Sequence, residues 1–184
     1  MKKFLPFLIL VFLISLIAIA TYNLSNHQQE ESSKNDQENG VHFVETNIPL
    51  TEFSLPDIFN KDETFSNKDL IGKYSLVSFF ASWCTTCKAQ HDILLRLRDE
   101  KIIDIYGVAW RDISENSKSF LEHHGNPYVK TASDSRALFT KIANLQAVPE
   151  TWIVNKEGII VMRYRGNLQD FSIDEIRNFL INNK

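Results

Sequence analysis

Tyr74-Ser75-Leu76-Val77-Ser78-Phe79-Phe80-Ala81-Ser82-Trp83-Cys84-Thr85-Thr86-Cys87 is the stretch on which the reading of this chain turns. Its first eight residues form a short β-rich run with the length and character of a buried strand. The run leads directly into two cysteines three positions apart, the only two in the chain. Residues 88–100 then read as a helix, with Ile93, Leu94, Leu95 and Leu97 as its apolar positions. Cys84 therefore falls at a helix N-terminus, where free N–H groups and the helix dipole favour a thiolate. Cys87 follows about one turn later. Such a pair can attack a disulfide through Cys84, form a mixed disulfide and resolve it through Cys87. A bond between the two closes only a tiny loop and adds little stability, so a chemical role is preferred to a structural one. The other chemical use of the pair is as part of a copper or zinc site, with His91, His123 or His124 as further ligands.

Downstream of this centre, residues 102–110 read as a second strand. Ser114 is placed to cap a helix that Gly125 stops. A short strand is expected at 128–130, and a helix capped by Ser133 or Asp134 reaching about residue 143. Residues 151–154 and 159–164 read as strands joined through Asn155-Lys156-Glu157-Gly158 into a hairpin. A final helix opens at Ser172, with Ile173, Ile176, Phe179 and Leu180 on one face. The order β-α-β-α-(β-α)-β-β-α predicts an α/β fold of three layers. The closing hairpin makes its central sheet mixed.

Upstream, Lys2 and Lys3 precede an apolar run that reaches Tyr22. The run is about long enough to cross a bilayer, and the lysines orient the rest of the chain outward. Residues 1–22 thus read as a membrane anchor. The alternative is a signal peptide cleaved after Ala18-Ile19-Ala20. Residues 23–40 are polar, without apolar periodicity, and read as a flexible linker. Residues 41–184 form the globular domain. A net charge of −3, with no basic patch, speaks against a nucleic-acid partner.

Beyond these local signals, Ser78-Phe79-Phe80-Ala81-Ser82-Trp83-Cys84 resembles the active-site strand of the thioredoxin superfamily. Val148-Pro149, just ahead of the strand at 151–154, matches the position of that family's cis-proline. Gly107-Val108-Ala109-Trp110-Arg111-Asp112, Gly125-Asn126-Pro127-Tyr128, Val148-Pro149-Glu150-Thr151, Gly158-Ile159-Ile160 and Arg163-Tyr164-Arg165 occur in that order. Together they resemble the DsbE/CcmG type of thiol:disulfide interchange protein, which serves cytochrome c maturation. The resemblance covers the whole of 41–184 and extends to the single N-terminal anchor.

It implies a thioredoxin-like fold with an extra strand–helix insertion, held at the periplasmic side of the cytoplasmic membrane. It also implies a reductant of apocytochrome c cysteines that is itself supplied by a membrane thiol-reductant transporter. Carried onto this chain, it makes Cys84 the nucleophile, Cys87 the resolving thiol and Pro149 the cis-proline. Trp83 flanks the site, Glu150 supplies the acid of a proline–glutamate motif, and the Val148 backbone lies beside Cys84, open to an extended substrate. No cofactor and no metal is implied. Blander roles are a surface charge for Glu150 and a solvated helix position for His91. Several positions depart from the family pattern: Thr85 where proline is usual, Gln90 where glutamate is frequent, Ala147 for a common glycine, and Ser78 in place of a buried aspartate. Those departures leave room for a general oxidoreductase of exported proteins.

Overall fold

A computed structural model describes residues 41–183. The expected anchor (1–22) and linker (23–40) lie outside the described residues. Among the described residues no helix is long and apolar enough to cross a membrane.

Six strands make the main sheet: β1 (Val41–Pro49), β4 (Ser75–Phe80), β5 (Asp104–Trp110), β6 (Lys130–Asp134), β7 (Glu150–Val154) and β8 (Ile159–Gly166). Their order is β1-β8-β7-β4-β5-β6. β4, β5 and β6 run parallel, while β7 is antiparallel to β4 and to β8, so the sheet is mixed as expected. A separate hairpin joins β2 (Ser54–Pro56) to β3 (Thr64–Ser66). The helices are α1 (Thr85–Ala89), α2 (His91–Glu100), α3 (Ser114–His124), α4 (Leu138–Ile142) and α5 (Asp170–Asn182), with a 3-10 turn at Asn67–Asp69.

β4 is buried at every position because both faces of the sheet are covered. Leu76 and Phe80 point to one layer, where Leu94, Leu97, Leu121, Ile173 and Ile176 from α2, α3 and α5 pack on them. Val77 and Phe79 point to the other, against Leu55, Phe65, Leu70 and Phe139 from the hairpin, the 3-10 turn and α4. Phe79 and Trp152 meet with ring centroids 4.3 Å apart, and neither side chain is accessible to solvent. Burial of a side chain of that size is worth about 1.5–3 kcal/mol.

Several boundaries differ from expectation. The helix expected at 88–100 begins earlier, at Thr85, and breaks at Gln90. The buried Gln90 side chain accepts the Leu168 N–H at 3.1 Å, tying the break to the segment before α5. The strand expected at 128–130 lies instead at 130–134. Tyr128 is a packing residue whose ring covers Gly107, where an added Cβ would stand 2.7 Å from Tyr128 Cδ2. The next helix is short, and the Asp134 carboxylate accepts the N–H groups of Leu138 and Thr140 at its start. Ser114 and Ser172 sit inside their helices, behind Ile113 and Gln169 at the cap positions. β1, β2 and β3 were not foreseen. β1 pairs with β8 through long-range ladder bonds for which local pattern offers no signal.

Candidate active site

Strand directions bring three chain segments to one edge of the sheet. Phe80 at the end of β4 lies opposite Ala109, just before the end of β5, and Phe79 lies opposite Glu150, the first residue of antiparallel β7. The segments after β4, after β5 and before β7 therefore converge. Crevices at such strand ends are the usual binding positions of α/β sheets.

In the segment after β4, Cys84 is the N-cap of α1, with extended backbone at φ −85° and ψ 114°. Its sulfur accepts the Cys87 N–H at 3.1 Å, and the Thr86 hydroxyl lies 3.3 Å away. Cys84 and Cys87 are joined as a disulfide, with Cα atoms 5.3 Å apart. In the reduced pair, the same N–H and hydroxyl stabilise a thiolate on Cys84, together with the positive end of the helix. In the disulfide both cysteines are buried, at 6% and 3% exposure.

The segment before β7 contains a cis Val148–Pro149 bond. The Val148 carbonyl oxygen stands 3.7 Å from Cys84 Sγ. Among the described residues, neither the N–H nor the carbonyl of Val148 takes part in a backbone hydrogen bond. Glu150 is not a surface charge: it is 2% exposed. Its carboxylate accepts from Arg163 Nε and Trp152 Nε1, each at 2.6 Å, with Arg165 3.9 Å away. The Arg163 guanidinium in turn covers the Trp152 ring at 4.9 Å. Glu150 thus anchors the strand behind Pro149 through a buried ion pair.

From the segment after β5, the Arg111 carbonyl accepts the Trp83 indole N–H at 3.2 Å, which leaves the Trp83 ring half exposed beside Cys84. Asp112 is buried and accepts four hydrogen bonds, from Ser82 N–H (2.6 Å), Ser82 Oγ (3.1 Å), Ile113 N–H (2.9 Å) and Ser117 Oγ (2.6 Å). It clamps the loop ahead of Cys84 to the start of α3. Sequence reasoning quoted Asp112 only within a family motif and gave Thr86 no role. A carboxylate just past an apolar strand end is the signal that could have singled out Asp112.

His91 is not solvated. It is buried on α2, with Nε2 2.9 Å from the Gly125 carbonyl oxygen and its ring edge-on to Phe120. Burial lowers its pKa, against smaller raising effects from the Gly125 and His124 backbone and from Asp92.

The family profile described as Redoxin matches residues 44–180. Among curated relatives, the chain is 36% identical over 112 residues to the thiol:disulfide interchange protein DsbE of Allochromatium vinosum, covering 61% of this chain and 62% of that one. It is also 36% identical over 107 residues to the thiol:disulfide interchange protein HelX of Rhodobacter capsulatus, covering 58% and 60%. The chain thus spans about three fifths of each of these relatives. A secreted thiol-disulfide isomerase from Corynebacterium glutamicum shares the fold at 15% identity, with a TM-score of 0.65 over 79% of this chain and 94% of that one.

Proposed function

Because the chain belongs to the Redoxin family, and its domain is of the thiol:disulfide interchange type, we propose that it reduces disulfides of exported proteins, apocytochrome c first among them. The observation that carries this reading is the environment of Cys84 Sγ. It lies at a helix N-terminus, with the Cys87 N–H 3.1 Å away on one side and the Val148 carbonyl 3.7 Å away on the other.

The exchange proceeds in two steps. The Cys84 thiolate attacks one sulfur of the substrate disulfide, forming a mixed disulfide and expelling the other substrate sulfur as a thiolate. Cys87, deprotonated, then attacks Cys84 Sγ. This forms the Cys84–Cys87 disulfide and releases the second substrate thiolate. Two electrons pass to the substrate, and a membrane thiol-reductant transporter supplies two more that reduce the Cys84–Cys87 disulfide again. The N–H and carbonyl of Val148, neither in a backbone hydrogen bond among the described residues, offer an extended substrate a short β-type pairing that sets its sulfur in line. Trp83 supplies an apolar wall beside it, while Pro149 and Glu150 hold the segment in place. The apolar run of residues 1–22 keeps the domain at the outer face of the cytoplasmic membrane.

Cys87→Ser tests the reading, since it stops the reaction at the mixed disulfide. Apocytochrome c is expected as the main trapped species in cells, and absence of any disulfide-linked partner would refute the reading. The second reading is a general oxidoreductase of exported proteins, and Thr85 and Gln90, where the family pattern has proline and glutamate, bear on the reduction potential rather than on the fold. The reduction potential separates the two: about −270 mV, as in thioredoxin, marks a reductant, and about −120 mV, as in DsbA, marks an oxidant.

A further inference from the structure

At the edge of the sheet where β5 ends lies a cleft of about 330 Å³ whose lining includes Arg111, Ala137, Lys141, Asn144, Leu145 and Gln146. Two of its lining segments adjoin the candidate active site along the chain. One contains Arg111, whose carbonyl holds the Trp83 indole. The other, Leu145 and Gln146, leads within three residues into Val148, whose carbonyl faces Cys84 Sγ.

The cleft presents two cations and no carboxylate among its lining residues. Among the described residues neither Arg111 nor Lys141 is in an ion pair, so both cations of the cleft stand without a carboxylate partner. The Arg111 guanidinium is held over the Trp110 ring at 4.7 Å, which fixes its plane while leaving its N–H groups unmatched by an anion. Backbone strain also gathers here. Among the described residues four non-glycine positions have positive φ, and three of them, Arg111 (48°), Ala137 (53°) and Asn144 (56°), line this cleft. Such conformations persist where surrounding structure enforces them, and they cluster at functional positions.

The geometry points to a specificity subsite: the cleft binds an acidic side chain of the substrate polypeptide, a few residues from the cysteine under attack. This rests on the thiol-exchange reading above. A glutamate or aspartate there gains a planar two-point contact with Arg111 and a point charge from Lys141. A chain of net charge −3 thus carries a local positive target near the segment that leads into Val148.

The test uses the reduced full-length protein in detergent and four disulfide probes. Three are peptides that differ at one residue near the cysteine, bearing Glu, Gln or Lys, and the fourth is a small neutral disulfide. The Glu peptide is expected to have about a tenfold higher kcat/KM than the Gln peptide, and the Lys peptide a lower value than either. The Glu preference should shrink as salt is raised. It should vanish in the R111Q/K141Q double variant, and the R111E/K141E double variant should turn the preference toward the Lys peptide. Equal rates for the three peptides with wild-type protein, while the neutral disulfide reacts, overturn the subsite and leave the exchange reading intact. Failure of the neutral disulfide and all peptides to react overturns both.

Discussion

At the scale of single residues, Thr86 and His91 carry the clearest consequences. The Thr86 hydroxyl stands 3.3 Å from Cys84 Sγ, and Thr86→Val keeps the shape but removes the donor. A hydrogen bond to a charged group is worth about 1.5–3 kcal/mol. Its loss lowers the thiolate fraction, and the thiolate that remains is a somewhat stronger nucleophile. The net expectation is alkylation of Cys84 slowed by roughly three- to tenfold at mildly acidic pH, followed by mass spectrometry. His91 acts on stability. Burial holds its pKa in the folded domain below the ordinary histidine value of about 6.5, so the unfolded chain binds the proton more readily. Above pH 6.5 both states hold His91 neutral and it contributes no slope. As pH falls through 6.5, the unfolded state is protonated first and the domain loses stability, until the folded site also takes up its proton. The urea midpoint should therefore drop between pH 7.5 and 5.5, and His91→Phe should flatten that slope. From the neighbouring chain pattern His91 reads as a candidate metal ligand or a solvated helix position. That it packs on Phe120 and bonds to Gly125 follows from where α3 lies.

Among the elements, the loop between β4 and α1 depends on a residue from β5's far end. Asp112 accepts four hydrogen bonds, two of them from Ser82, two positions before Cys84. Asp112→Ala strands these donors in a buried setting, at a cost of about 2–4 kcal/mol. Urea unfolding should show that loss, and Asp112→Asn should recover part of it. The hairpin of β7 and β8 and the strand β4 were legible because buried strands and tight turns are announced by composition over a few residues. β6 was not: Lys130-Thr131-Ala132-Ser133-Asp134 is small and polar, and it is a strand because β5 offers it a parallel edge. The break at Gln90 was hidden for a similar reason. Local propensity favours one continuous helix, whereas the buried amide satisfies Leu168, 78 positions away.

In the whole molecule, both core clusters are assembled from residues between Leu55 and Leu180. A polypeptide of residues 41–184 is therefore expected to fold alone, unfold in urea as one transition and reduce the disulfides of insulin. A fragment inert even with a chemical reductant counts against the oxidoreductase reading. Trimming to residue 50 removes β1 and bares the β8 edge, so that fragment should have a lower urea midpoint and self-associate in size-exclusion chromatography. What the sequence determined by itself is the cysteine pair, the strand that precedes it and the helix that follows. These rest on spacing, side-chain period and helix-end electrostatics, all properties of neighbours along the chain. What only the tertiary structure decided is the company the pair keeps. Trp83 meets Arg111 across 28 positions, and Cys84 meets Val148 across 64. The burial of Glu150 against Arg163 and the pairing of two lone cations in one cleft belong to the same class. Such contacts are set by strand order and direction, which bring distant segments to one edge of the sheet, and no local pattern encodes which segments those will be.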